Sequence, residues 1–389
     1  MPDQPPDHHQ ETTAITAGRA NAGRSLAPVL FPSTTYSVDT VAEHDAMVGD
    51  RGTTGFYSRF ASPGVRDFED AVAALEGAEA ALASSSGMGS ISAIVLALCS
   101  QGDHVVATRQ MFSVTYALFT FHLPRFGIDV TFVDGTDAEA IAAAVIPGRT
   151  QVVFVETPAN PGLTLVDLDA VGAIAGPITV VDSTFAGPMV QRPLDHGVDL
   201  VFHAATKGIA GHNDSLLGVV AGNADLVEPI WGFQSALGTQ ASPFDAWNGV
   251  RGIRTLAVRT ERQGASALTL ARALEAHPRI RSVSYPFLES HPQHELALRQ
   301  MANGGPVVTF EVDGSAADTI AVVERCRLAR IALSLGGPET LLSHPATISK
   351  RFTPPERAEL GVTDSLVRMS VGLEHPDDLV ADLTNALDG

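Results

Sequence analysis

The feature that most constrains this chain is a series of short β-rich runs, each separated from the next by a helical or loop stretch. The runs are His104 to Ala107, Val130 to Val133, Val152 to Val155, Thr179 to Val181 and Leu200 to Phe202. Strands joined by connections of helical length run parallel, since antiparallel neighbours need only a tight turn. The pattern predicts an α/β fold with a mainly parallel sheet covered by helices on both faces, in which ligands gather at the carboxyl ends of the strands. Polar residues directly after those runs are therefore where chemistry is to be sought.

A chain of 389 residues exceeds one simple core. Residues 1–60 mix Pro, Gly, Ser and Thr with little helical periodicity and read as an extended arm with a disordered tip. Residues 61–250 hold the parallel sheet. Within them Val65, Phe68, Val72 and Leu75 mark a helix face that Gly77 ends. Residues 251–389 carry a long helical stretch to Glu275, a strand at Val307 to Val312 and a final helix from Pro376, which describes a smaller C-terminal α/β domain.

Composition removes several classes of function. A formal charge of −19 repels phosphate backbones and anionic membranes, so nucleic acid is not an expected partner. No run approaches the roughly 18 apolar residues of a membrane span. Met1 to Glu11 lacks the basic start and apolar run of a secretory signal. Cys99 and Cys326 make neither a disulfide framework nor a metal pattern, and the expectation is a cytoplasmic protein without a metal.

Three segments carry candidate chemistry. Lys207, in Ala204-Ala205-Thr206-Lys207-Gly208, follows the run Leu200 to Phe202. A lysine in a partly dry pocket loses its proton readily and can form a Schiff base, although a loop lysine taken alone is ordinarily a solvated charge. Asp182 ends Ile178 to Val181, where an acid could pair with a pyridinium nitrogen, or simply cap a turn. Ser84-Ser85-Ser86-Gly87-Met88-Gly89 opens the apolar helix Ile91 to Leu98, so that helix start could hold a phosphate or be a plain serine cap.

Taken in order, Tyr57-Ser58-Arg59, Ser86-Gly87-Met88-Gly89, Glu156-Thr157-Pro158-Ala159-Asn160-Pro161, Asp182-Ser183-Thr184-Phe185, Thr206-Lys207 and Arg368-Met369-Ser370-Val371-Gly372 are far more specific. This series resembles the Cys/Met-metabolism family of pyridoxal-phosphate enzymes from about residue 15 to the C-terminus. The family includes cystathionine γ-synthase, cystathionine γ-lyase, methionine γ-lyase and homoserine-ester sulfhydrylases.

The resemblance implies a fold-type I pyridoxal-phosphate enzyme whose cofactor-binding domain is residues 61–250. It implies that Lys207 binds the cofactor covalently, that Asp182 pairs with the pyridine nitrogen, and that Gly87, Met88 and Thr206 hold the phosphate. Phe112 would stack on the ring, while Tyr57 and Arg59 would reach the phosphate of a neighbouring subunit, making a dimeric catalytic unit and commonly a homotetramer. Arg368 would clamp the α-carboxylate of a small amino-acid substrate, helped by Asn160 and Ser334. Glu156 matches an acid beside the cofactor with a structural or a direct role. His203, His212 and His344 are assigned no catalysis.

Departures from the family bear on the reaction. Phe112-Ser113-Val114-Thr115 stands where Tyr-Gly-Gly-Thr is common, so a phenolic proton donor is missing and a cysteine typical of methionine γ-lyases is absent at Val114. An ester releases an already good carboxylate leaving group, whereas a departing thiolate benefits from protonation. The expectation is γ-replacement on an O-acylhomoserine by a thiol, with γ-lyase cleavage of cystathionine or methionine as the alternative. A binding or regulatory protein without turnover is the reading from another class, motivated by Phe112, Ala204 and Gly208. Ser62 also departs from a usual asparagine.

Overall fold

The structure is a computed structural model and describes residues 8–350 and 352–389. Its contacts divide the chain into two compact units, one of residues 1–99 and 199–257, the other of residues 100–198 and 258–389. The start of the expected disordered tip, residues 1–7, lies outside the described residues.

In the first unit three strands pair antiparallel, with Gly218–Gly222 between Ala80–Ser84 and Leu200–His203. All are buried. The helix Pro63–Glu76 turns Phe68, Val72 and Leu75 fully inward, as its spacing predicts, and Gly77 ends it in the left-handed region at φ 70°. Helices Gly87–Leu98, Ala224–Leu237 and Pro243–Ile253 complete the unit.

The arm departs from the extended reading. Gln10–Thr16 and Val41–Met47 are helical. The second is started by Thr40, whose hydroxyl accepts from Glu43 N–H while the Glu43 carboxylate accepts from Asp39 N–H. This reciprocal capping fixes two turns, too few to leave a hydrophobic period in the sequence. The arm is also tied to its own unit, since Asn21 donates to Pro63 O and the Asp67 carboxylate, and Trp247 donates to Pro28 O.

The second unit contains the expected parallel strands. Ile178–Asp182, Thr150–Glu156, His104–Thr108 and Asp129–Val133 lie side by side in that order, all parallel. Val106, Val153, Val155 and Val181 build one fully buried core on this sheet with Ile141 and Leu168. A second sheet runs Arg330–Ile331, Leu341–Ser343, Leu366–Ser370, Val307–Val312, Ile280–Ser284. It packs its Phe310, Val367 and Met369 against Leu379 and Leu383 of the final helix Pro376–Asp388. The long helix starts at Leu256 and runs to Glu275, after a break that follows Ile253.

Candidate active site

In the first unit, the lysine turn and the glycine-rich helix start are neighbours. Gly218 places its Cα so close to Ser86 that a Cβ there would sit 2.3 Å from Ser86 O. Gly87 is equally confined, because a Cβ would meet the Cβ of Ala204 at 2.8 Å. Only glycine permits either approach. Ser86 caps the helix, its hydroxyl accepting from Gly89 N–H at 3.1 Å. The hydroxyls of Ser85 and Ser86 and the Cβ of Thr239 face Gly89, and the buried Thr239 hydroxyl has no partner among the described residues. The first turn thus combines its positive end with clustered hydroxyls, a surface made for an anion.

Lys207 follows as a half-buried residue in a tight turn, donating its N–H to Ala204 O and accepting from Gly211 N–H. Thr206 locks that turn. Its N–H and hydroxyl donate to Leu217 O, and its hydroxyl accepts from Leu217 N–H at 2.8 Å. The hydroxyl proton is thereby engaged with the backbone. Upstream, the buried pair His203 and Glu76 meets at 2.6 Å and anchors the strand that leads into the turn. His212 bonds Ala210 O and, in the second unit, His344 bonds Asp364 O, so both rings serve the backbone. Tyr57 and Arg59 lie exposed on the arm, with the Arg59 guanidinium 4.7 Å from the Phe60 ring and donating to Ser235 O.

In the second unit, Glu156 and Asp182 end adjacent parallel strands as directly opposed partners. They are buried, with exposures of 3% and 5%. Asp182 accepts from Thr184 N–H, the first step of the turn that carries Phe185. Glu156 uses both carboxylate oxygens, one accepting from Phe112 N–H at 2.7 Å and the other from Asn160 N–H at 2.8 Å. Burial, and next the charge of Asp182, hold the Glu156 carboxyl well above the usual carboxylate range.

Arg368 sits on the middle of the strand Leu366–Ser370, 8% exposed. Its guanidinium donates to Asn160 Oδ1 at 3.0 Å and to Ser334 O at 3.2 Å, and lies 6.0 Å from the Phe185 ring. Ser334 adopts φ 105°, a strained value for a residue with a side chain, and its carbonyl faces the guanidinium. Beside Arg368 in register, Thr309 donates its hydroxyl to Pro161 O, which ties the Asn160 turn to the Arg368 strand. Burial pushes the guanidinium down to about 10, which leaves it cationic at neutral pH. Such a planar, held cation suits a carboxylate.

The sequence of the whole chain then decides the family. Residues 11–388 match the sequence model of the Cys/Met metabolism PLP-dependent enzymes. The chain belongs to that family. Within it, an O-succinylhomoserine sulfhydrylase of Pseudomonas aeruginosa is 42% identical over 97% of this chain and 94% of its own. An L-methionine gamma-lyase of Fusobacterium nucleatum is 39% identical over 97% of both chains. The chloroplastic cystathionine gamma-synthase 1 of Arabidopsis thaliana is 38% identical over 95% of this chain and 67% of that one. The crystal structure of metB from Corynebacterium glutamicum superposes with a TM-score of 0.92 at 34% identity, covering 99% of each chain, which makes this a fold-type I enzyme.

The Cys/Met-metabolism family uses pyridoxal phosphate, and the residues present fit it. The glycine-lined helix start with its unpartnered Thr239 hydroxyl suits the phosphate, and Lys207 supplies an amine in a turn fixed by Thr206. Sequence reasoning left one function unresolved in this set: Glu156 as the bridge between the Phe112 and Asn160 turns, since two backbone bonds leave no mark on residue spacing.

Proposed function

We propose that this enzyme catalyses γ-replacement on an O-acylhomoserine by a thiol. The observation that carries the reading is the pairing of a buried carboxylate clamp, Arg368 with Asn160 and Ser334, with a phenyl rather than a phenol at Phe112. When bound, pyridoxal phosphate supplies an electron-poor ring that stabilises negative charge on the substrate carbons. Arg368 orients the amino acid by its α-carboxylate. Asp182 holds a proton on the ring nitrogen, and the amine of Lys207 takes the substrate Cα proton at its Nζ. With a Cβ proton also removed, the Cγ–O bond breaks and the acyl group leaves as a carboxylate that needs no proton donor, which Phe112 could not supply. The thiol sulfur then bonds to Cγ of the unsaturated product, its proton passes to a base, and Lys207 Nζ returns protons to Cβ and Cα. Gly87, Met88 and Thr206 hold the phosphate.

The name of the Pseudomonas aeruginosa relative supports an O-succinyl ester as the donor. The gamma-lyase names among relatives of nearly equal identity favour the second reading, in which water meets the unsaturated product instead of a thiol. Incubation with O-succinylhomoserine, O-acetylhomoserine, cystathionine and methionine, each with and without cysteine or sulfide, separates the two. We expect thioether or homocysteine from an ester at a rate at least about tenfold above keto-acid release from cystathionine or methionine. The reverse ranking makes the enzyme a lyase.

The functional division of the chain is the arm 1–60, a cofactor domain 61–250 and a C-terminal domain 251–389, in a cytoplasmic enzyme. The catalytic unit is a dimer whose partner is a second copy of this chain: Arg59 and Tyr57 are exposed on the arm and would serve the phosphate of the neighbouring subunit, with two dimers forming a tetramer. Mixing equal amounts of Arg59→Ala and Lys207→Ala protein, each feeble alone, should restore up to about a quarter of wild-type activity, because about half of the dimers are mixed and each of these holds both native residues in one of its two sites. Exchange verified by mass without recovered activity removes Arg59 from the shared site.

A further inference from the structure

Glu156 is buried, touches two turns at once and has no part in the chemistry derived above. Its strand Thr150–Glu156 delivers the carboxylate to the point where the chain segments carrying Phe112 and Asn160 both present a backbone N–H. Each oxygen takes one of them. From the Asn160 N–H the connection continues through the same residue, whose side-chain oxygen accepts from Arg368 at 3.0 Å. The other oxygen fixes the amide of Phe112, the residue that starts the short helix Ser113–Ala117 and stands 40% exposed.

We propose that Glu156 is a positioning residue that sets the carboxylate clamp and the aromatic Phe112 turn as one unit, so that substrate carboxylate recognition depends on its two backbone hydrogen bonds. The inference rests on the proposed roles of Arg368 and Phe112 in substrate and cofactor binding. It has a physical basis in acceptor count. A carboxylate accepts on both oxygens, whereas the amide of glutamine accepts on one and donates from the other, so a glutamine in the same space satisfies one N–H and opposes the second. Burial makes the lost bond consequential, since a buried donor left without an acceptor keeps its full desolvation penalty. Burial and the Asp182 charge raise the Glu156 carboxyl, while its two N–H donors and the Arg368 cation favour the ionised form that accepts on both oxygens.

The test uses the cofactor-loaded Glu156→Gln enzyme and two unreactive probes followed by the cofactor's absorbance. L-Norvaline has the α-carboxylate but no leaving group, and n-butylamine is the same chain without the carboxylate. We expect norvaline to bind about tenfold more weakly while butylamine changes less than twofold, with cofactor affinity within about threefold and a thermal midpoint lowered by only about a few degrees, the cost of the one unpaired N–H. In an Asn160→Ala background, Glu156→Gln should weaken norvaline less than twofold further, because the connection to Arg368 is already cut. Equal weakening of both probes, full additivity with Asn160→Ala, or unchanged norvaline binding overturns the proposal. Turnover does not enter these titrations, so a lyase outcome or absent γ-replacement activity sinks the functional reading while leaving this result intact.

Discussion

Lys207→Ala should yield a folded protein that carries no covalently attached cofactor and has lost turnover by at least about 10²- to 10⁴-fold, the range of a positioned proton-transferring group. The chain offers a clean measurement, because Lys207 and Lys350 are its only two lysines. Borohydride reduction of the wild type, followed by peptide mass analysis, should find the cofactor on the peptide containing Lys207 alone. Lys207→Ala should show no reduced adduct. The fold should survive, since the turn is held by backbone bonds from Lys207 N–H to Ala204 O and by the Thr206 bonds to Leu217, none of which uses the lysine amine. An adduct on Lys350, or on neither lysine, removes Lys207 from its place at the centre of the reaction.

Much of the fold was legible because its signals were local. Val65, Phe68, Val72 and Leu75 announced a helix face, and all but Val65 are fully buried. The five β-rich runs from His104 to Phe202 are strands, four of them because consecutive Val and Phe residues suit a sheet buried on both faces, the fifth, Asp129–Val133, as a partly exposed strand. The strands Ala80–Ser84 and Gly218–Gly222 were not legible. Alanine and glycine have low strand propensity, and these two are kept in the sheet by small size instead: a side chain at Gly222 would meet Asp199 O at 2.4 Å. The short helix Val41–Met47 was missed because its support is a cap and not a period.

The site was legible as a set of residue types in order, and its wiring was not. Spacing placed Asp182 at the end of its strand, where the structure has it, and could not give the register that opposes it to Glu156. The family resemblance groups Asn160 with Arg368, but spacing does not give Asn160 Oδ1, 208 residues away, as a direct acceptor of the guanidinium. Nor does spacing disclose that the Thr206 hydroxyl bonds both Leu217 O and Leu217 N–H, and so braces the lysine turn. Long-range hydrogen bonds of this kind depend on how sheets and turns are assembled, and a single sequence records only their end points.

Arg368→Ala should separate substrate binding from cofactor binding. The guanidinium is the buried cation of its unit's clamp, and a charge-assisted bond to a carboxylate contributes about 1.5–3 kcal/mol, so its loss should raise KM for an O-acylhomoserine on the order of 10- to 100-fold. The cofactor's affinity should stay within about threefold, because the role proposed for Arg368 is to bind the substrate carboxylate and not the cofactor. A further change is expected at Glu156. Arg368 is the cation that pulls the Glu156 carboxyl downward, so removing it lets burial and Asp182 drive that group higher still. Arg368→Lys restores the charge without the fork that reaches both Asn160 Oδ1 and Ser334 O, and should recover only part of the binding. Steady-state kinetics beside cofactor titration decides the matter: parallel losses of substrate and cofactor affinity would show that Arg368 supports the fold of the site and does not recognise the substrate.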